Sequence, residues 1–258
     1  MPTSASIYYF AHGTDHVHRP PVVFVHGAGG THLHWPPQSR RIEGYRIYAP
    51  DLPAHGRSEG LGSQTIGGYA RAVVDLLDAL KLNAAVIVGH SMGGGIALSL
   101  ALDYPKRVLG LGLIGTGARL RVAPQLLDAA SRAETFPDAV KLINEWEFSP
   151  SVNPRLKQLA RQRMSEMRPA VLHGDFLACN QFDVMNRLHE IHVPALILCG
   201  VDDQMTPAKY SDHLHTQLSG SRLVVIPEAG HMVMLEQPLT FTLALTEFLD
   251  TIPYRPGQ

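Results

Sequence analysis

Gly89-His90-Ser91-Met92-Gly93 is the stretch of this chain best suited to chemistry. A serine on a sharp turn from strand to helix is lifted clear of the backbone. Glycines two residues to either side leave room where the strand and helix backbones nearly touch. The helix that follows points its N-terminal N–H groups and positive dipole end at an oxyanion formed on Ser91. A serine hydroxyl is a poor nucleophile at neutral pH, so it needs a base within hydrogen-bond reach and a third group to orient that base. The expected base is His231, in the loop Pro227-Glu228-Ala229-Gly230-His231. The acid is expected after an earlier strand, where Gly200-Val201-Asp202-Asp203 offers two adjacent carboxylates that spacing does not separate. Serine, then aspartate, then histidine is not the chain order of the chymotrypsin or subtilisin types.

The elements that must position these residues are read from the apolar pattern. Residues 84–88, Ala-Ala-Val-Ile-Val, suggest a buried strand before the serine, and residues 94–102 a buried helix after it. Residues 7–10 read as an edge strand. Residues 22–25 form a short strand ending at His26-Gly27-Ala28-Gly29-Gly30, and residues 45–49 a strand running into Pro50-Asp51-Leu52-Pro53-Ala54-His55-Gly56-Arg57-Ser58. Tyr69, Val73, Leu76, Leu77 and Leu80 recur at helical spacing within residues 66–80, and residues 108–114 form the next strand. Strands alternating with helices predict an α/β fold, a mostly parallel, doubly wound sheet covered on both faces.

That rhythm stops between residues 119 and 190. The stretch is rich in Arg, Gln, Met and Ala, and proline breaks at Phe136-Pro137, Asn153-Pro154 and Arg168-Pro169 mark helix starts. It reads as a helical cap inserted over the mouth of the sheet, so the expected core is residues 1–118 with 191–258. The βα rhythm resumes with a strand at 195–199, a helix capped by Thr206-Pro207, a strand at 223–226 and a helix at 238–249.

Composition bounds the function. With 258 residues, 45% hydrophobic and 17% charged, the chain can bury a full core, which excludes a disordered protein. A formal net charge of −1 gives no electrostatic reason to expect nucleic acid or an anionic membrane as a partner. The two cysteines, Cys179 and Cys199, make no disulfide framework, and the start Met1-Pro2-Thr3-Ser4-Ala5-Ser6 has neither the basic nor the apolar region of a secretory signal. A cytoplasmic protein is the expectation.

Four motifs together resemble the α/β-hydrolase superfamily, in its esterase-like branch with a helical cap: His26-Gly27-Ala28-Gly29, the segment from Asp51 to Ser58, the serine elbow, and Gly230-His231. The resemblance covers nearly the whole chain outside the cap. It implies Ser91 as nucleophile, His231 as base and Asp203, in preference to Asp202, as acid. It also implies an oxyanion hole from the N–H groups of Ala28 and Met92. No metal and no cofactor are expected. The implied activity is hydrolysis of a small to medium uncharged carboxylic ester through an acyl-enzyme. Lactonase, thioesterase, amidase, perhydrolase and C–C-bond hydrolase chemistry run on the same triad. A non-catalytic small-ligand receptor of the same fold is the alternative of another class.

Trp35, Trp146, Phe176 and Met232 are the candidate substrate contacts, with Met92 and Met205 beside them. Asp51, Arg57 and Ser58 read as a structural brace, His26 and His90 as loop-ordering residues, and Glu236 as the cap of the last helix. The histidine pairs His16/His18, His32/His34 and His213/His215 lack a carboxylate or cysteine at ligand spacing. Cys179 has no triad implied around it.

Overall fold

A computed structural model describes residues 3–4, 6–13 and 18–254. His16 and the first two residues therefore lie outside the described residues. Eight strands form one sheet: β1 (Thr3–Ser4), β2 (Ile7–His12), β3 (Val22–Val25), β4 (Ile47–Pro50), β5 (Ala85–His90), β6 (Val108–Ile114), β7 (Ala195–Gly200) and β8 (Arg222–Ile226). Their order is β1-β2-β4-β3-β5-β6-β7-β8. β2 runs antiparallel to β1 and β4, and every other pairing is parallel. The expected edge strand at residues 7–10 thus has the two-residue β1 outside it.

The central strands are apolar on both faces because both are covered. Val23, Val25, Ile87, Leu111, Leu113 and Ile197 bury into one core, while Val22, Phe24, Val86, Val88, Leu196 and Leu198 bury into the other. This is the two-residue alternation of a pleated strand applied to a sheet with no wet side.

The first core is covered by α2 (Ile66–Ala79), α3 (Met92–Asp103) and α8 (Ala208–Gln217), and the second by α10 (Pro238–Leu249). Shorter helices are α1 (Pro37–Arg40) and α9 (Val233–Glu236). α2 starts where Thr65 accepts the Gly68 N–H at 3.1 Å, a cap worth about 1 kcal/mol. Every residue of α3 except its last is buried, so this helix sits inside the molecule against β5.

Between β6 and β7 lie four α-helices, a short 3-10 helix (Met185–Glu190) and no strand: the α-helices are α4 (Pro124–Ala130), α5 (Phe136–Trp146), α6 (Pro154–Ser165) and α7 (Pro169–Gln181). Their starts follow the proline breaks. Asn153 caps α6 by accepting the Arg155 N–H at 2.9 Å, and Pro154 and Pro169 open their helices. Leu126, Phe136, Val140, Ile143, Met164, Leu172 and Phe176 give this layer an apolar cluster of its own. Thr206 does not cap α8, which begins at Ala208 with Pro207 before it; its hydroxyl is engaged at Asp203 instead. No helix among the described residues is long and apolar enough to cross a membrane.

Candidate active site

Ser91 sits between β5 and α3 with φ +54° and ψ −117°, a conformation that L-residues other than glycine adopt at a cost of about 1–3 kcal/mol. Its surroundings hold it there. The Ser91 N–H donates to Ile114 at 2.9 Å, and the Ser91 carbonyl accepts from Gly94 N–H at 2.9 Å and Thr116 Oγ1 at 2.8 Å. Gly89 and Gly93 are required by contact: a Cβ on the first would collide with the Gly93 carbonyl, and one on the second with the Val25 carbonyl.

His231 follows β8 and is 3% exposed. Its Nδ1 lies 2.9 Å from Asp203 Oδ2 and 3.1 Å from Thr206 Oγ1. An ionised carboxylate only accepts, so Nδ1 carries the proton and Nε2 is left as the basic nitrogen. Asp203 is itself saturated. Oδ1 accepts the N–H groups of Met205 at 2.9 Å and Thr206 at 2.8 Å, and Oδ2 also accepts the Thr206 hydroxyl at 2.8 Å. Burial alone would raise the Asp203 pKa, but His231 and the Thr206 donors more than offset it and hold the carboxyl below its usual range. Burial alone would lower the His231 pKa; Asp203, with smaller contributions from Glu147 and Glu236, raises it above the usual value.

Asp202 points elsewhere, accepting the Ser149 hydroxyl at 2.6 Å. The two adjacent carboxylates thus differ in direction: Asp203 meets the histidine and Asp202 meets Ser149. Glu236 accepts the N–H groups of Gly230 at 2.9 Å and Ser149 at 2.8 Å. It braces the His231 loop from α9 and does not cap the last helix.

Ser91 and His231 both line one cavity of about 360 Å³. Ala28 lines it too, and the N–H groups of Ala28 and Met92 donate to no acceptor among the described residues. Free backbone donors beside a serine at a helix start are the kind of group from which an oxyanion hole is built. Around this loop His26 Nε2 accepts the Leu52 N–H at 2.9 Å, and His90 Nε2 meets the His231 carbonyl at 3.0 Å, so both histidines order loops. Burial lowers both their pKa values well below the ordinary histidine value. Asp51 accepts from the N–H groups of His32 and Arg57, and Ser58 Oγ bridges Tyr8 N–H and the Asp51 carbonyl, the expected brace.

Of the candidate substrate contacts, Trp146, Phe176 and Met232 line the cavity, with Met205. Trp35 does not. It is fully buried on the other side of the sheet, its ring 4.7 Å from Phe24 and 6.0 Å from Phe241. The turn at His32–His34 aims it into the second core, which nearness in sequence to the His26-Gly27 loop could not reveal. Met92 is also fully buried in the first core, so only its backbone N–H serves the site.

Sequence reasoning missed several lining residues. Arg121 reaches the wall, its side chain 54% exposed and its Nη1 donating to the Asn180 carbonyl at 2.8 Å. His34 faces the cavity with Nδ1 unpartnered, its pKa lowered by burial to about 4. Glu147 is a buried acid on the wall. Cys179 lines the cavity, but burial pushes its thiol pKa up, away from a reactive thiolate. No group of three or more potential metal ligands occurs among the described residues. Of the histidine pairs, His32 is taken by Asp51 at 2.8 Å and His215 by Ser221 at 2.9 Å.

Asp175, on α7, has the most consequential connections outside the Ser-His-Asp set. It is fully buried and accepts from Gly29 N–H at 2.9 Å, His55 Nε2 at 2.8 Å and the Tyr69 hydroxyl at 2.5 Å. It thereby ties the helical layer to the loop that carries Ala28.

Residues 20–238 match the family model described as the alpha/beta hydrolase fold. A 2-hydroxy-6-oxononadienedioate/2-hydroxy-6-oxononatrienedioate hydrolase of Burkholderia vietnamiensis is 31% identical, over 88% of this chain and 86% of its own. A 3-oxoadipate enol-lactonase of Acinetobacter baylyi is 26% identical, over 90% of each chain. Among solved structures, a thermophilic esterase superposes with a TM-score of 0.82 at 32% identity, over 96% of this chain and all of its own.

Proposed function

The chain belongs to the alpha/beta hydrolase fold family, and from that membership and the geometry of its cavity we propose that it is a serine hydrolase acting on a small to medium uncharged carboxylic ester. The observation that carries this is the joint placement of Ser91 and His231 on one cavity, with His231 Nδ1 held by Asp203 at 2.9 Å. In this reading Ser91 Oγ attacks the ester carbonyl carbon as His231 Nε2 takes its proton. Asp203 stabilises the imidazolium, and the Ala28 and Met92 N–H groups receive the developing oxyanion. Collapse breaks the C–O bond, and His231 returns the proton to the leaving alkoxide. Water, activated by the same histidine, then releases the acid and frees Ser91.

Residues 119–190 act as the cap that shapes the acyl site. The wall contributed by α4–α7 is apolar at Leu126, Ile143, Trp146, Leu172 and Phe176, which favours an uncharged acyl group. Arg121 is the one Lys or Arg on the lining, and it is half exposed and already engaged. A lactone is the second reading, supported by the enol-lactonase relative; the steps are the same, with the leaving alkoxide retained in the product. Steady-state hydrolysis of p-nitrophenyl butyrate and of a simple δ-lactone tests both. Many turnovers of either support a hydrolase; release of a single equivalent of p-nitrophenol, with no lactone opening, indicates a receptor of the same fold.

A further inference from the structure

Glu147 is the only carboxyl among the residues lining the cavity. It follows α5, and its carbonyl accepts the Met232 N–H at 3.1 Å, which ties it to the His231 loop. The residue is 6% exposed. One side-chain oxygen meets Asn144 Nδ2 at a long 3.4 Å, and that amide group also donates to the Lys157 carbonyl at 2.9 Å. The other oxygen has no hydrogen-bond partner among the described residues. In the ester chemistry above Glu147 acts only through its charge, which helps raise the His231 pKa, yet it sits on the wall of the site.

The free oxygen is not among the enclosed, unpaired side-chain atoms of the described residues, so it stays open to the cavity that Glu147 lines, where a ligand donor can reach it. Burial raises the Glu147 pKa to about 7, with Glu236 adding to the rise and His231, Asn144 and Lys157 opposing it. The neighbours of Glu147 on the wall, Ile143 and Trp146 from α5 and Met232, whose N–H the Glu147 carbonyl accepts, offer a substrate no side-chain oxygen. A substrate carboxylate placed there would meet another acid.

We infer that Glu147 is a specificity-determining residue whose free oxygen accepts a hydrogen bond from an uncharged donor on the substrate, a hydroxyl, borne by the chain of the ester. This rests on the serine-hydrolase reading of the same cavity and names the substrate class within it: esters with an apolar chain and one uncharged hydrogen-bond donor. An analogue that fills the cavity but lacks the donor shuts solvent away from that oxygen and leaves it unpaired, and this is what makes such a site discriminate.

The test compares kcat/KM for p-nitrophenyl hexanoate, ω-hydroxyhexanoate and ω-aminohexanoate in the wild type, Glu147→Leu and Glu147→Gln. The ratio of the hydroxy ester to the plain ester is expected to fall about ten-fold or more in Glu147→Leu. Glu147→Gln keeps an acceptor oxygen without the charge, so the hydroxy ester keeps its ratio there. A wild type that prefers the amino ester to the hydroxy ester, and loses that preference in Glu147→Gln, would contradict an uncharged donor. Ratios that are the same in all three proteins would overturn the inference while leaving the hydrolase reading intact. Failure of the wild type to turn over any of the three esters would instead count against the hydrolase reading itself.

Discussion

Replacing Asp175 with alanine strands three buried donors at once: the Gly29 N–H, the His55 ring and the Tyr69 hydroxyl. Each stranded donor costs about 1–3 kcal/mol, and breaking a buried ion pair by removing one partner costs about 3–5 kcal/mol. These terms overlap, so the expected loss of folding stability is about 4 kcal/mol. Asp175→Asn keeps the shape and one acceptor oxygen, and its expected loss is about 2 kcal/mol. The loss depends on pH with a defined sign. Burial lowers the His55 pKa, but Asp175 more than offsets this and raises it overall. Stability from a charged His55 is complete below the unfolded value near about 6.5 and fades as pH rises through the folded value. Urea denaturation should therefore show a larger wild-type to Asn gap at about pH 6 than at about pH 9. Catalysis should also fall, because the Gly29 N–H that Asp175 holds belongs to the residue after Ala28. Partial loss of an oxyanion donor predicts a kcat lower by about ten- to a hundred-fold, with KM little changed. A stability loss below about 1 kcal/mol in Asp175→Ala, or a gap that widens as pH rises, would refute the reasoning.

Asp203→Asn should cut kcat by about 10⁴-fold, because the amide cannot stabilise the imidazolium and favours the wrong tautomer; Asp202→Asn, whose partner is Ser149, should cost far less. The same variant tests the proton accounting. Activity needs neutral His231, so kcat/KM falls as pH drops through its raised pKa, and removing the Asp203 charge should move that acid limb to lower pH. Trp146→Ala and Phe176→Ala should shift preference towards longer p-nitrophenyl esters by about 10- to 200-fold per methylene, and unchanged profiles would place the acyl wall elsewhere. Gly93→Ala drives a Cβ into the Val25 carbonyl and should cost about 1–3 kcal/mol in thermal or urea unfolding, together with turnover.

What was legible in the sequence was local. The strand before Ser91, the glycines at the elbow and the proline-led helix starts are set by neighbours in the chain, and residues 108–114 and 238–249 fold as the periodicity predicts. Chain order also set Ser91, an aspartate and His231 in sequence. Direction was not legible. Trp35 turns under the sheet, Thr206 bonds to Asp203 instead of capping α8, and Glu236 reaches back to Gly230 and Ser149. Long-range polar partners were the least legible. The contacts of Asp175 with Gly29, His55 and Tyr69 span 146, 120 and 106 residues, and no periodicity marks a bond of that kind. Glu147 escaped notice for a related reason: an acid at the end of a helix reads as solvated until the packing around it is known.

The central claim is that Ser91 is the nucleophile of a covalent pathway, and intact-protein and peptide mass spectrometry after reaction with a fluorophosphonate test it most directly. One adduct per chain on Ser91, blocked beforehand by a slow-turnover ester and absent in Ser91→Ala and strongly slowed in His231→Ala, is the predicted result. An adduct on a different residue, or full ester turnover by a folded Ser91→Ala protein, would contradict the account.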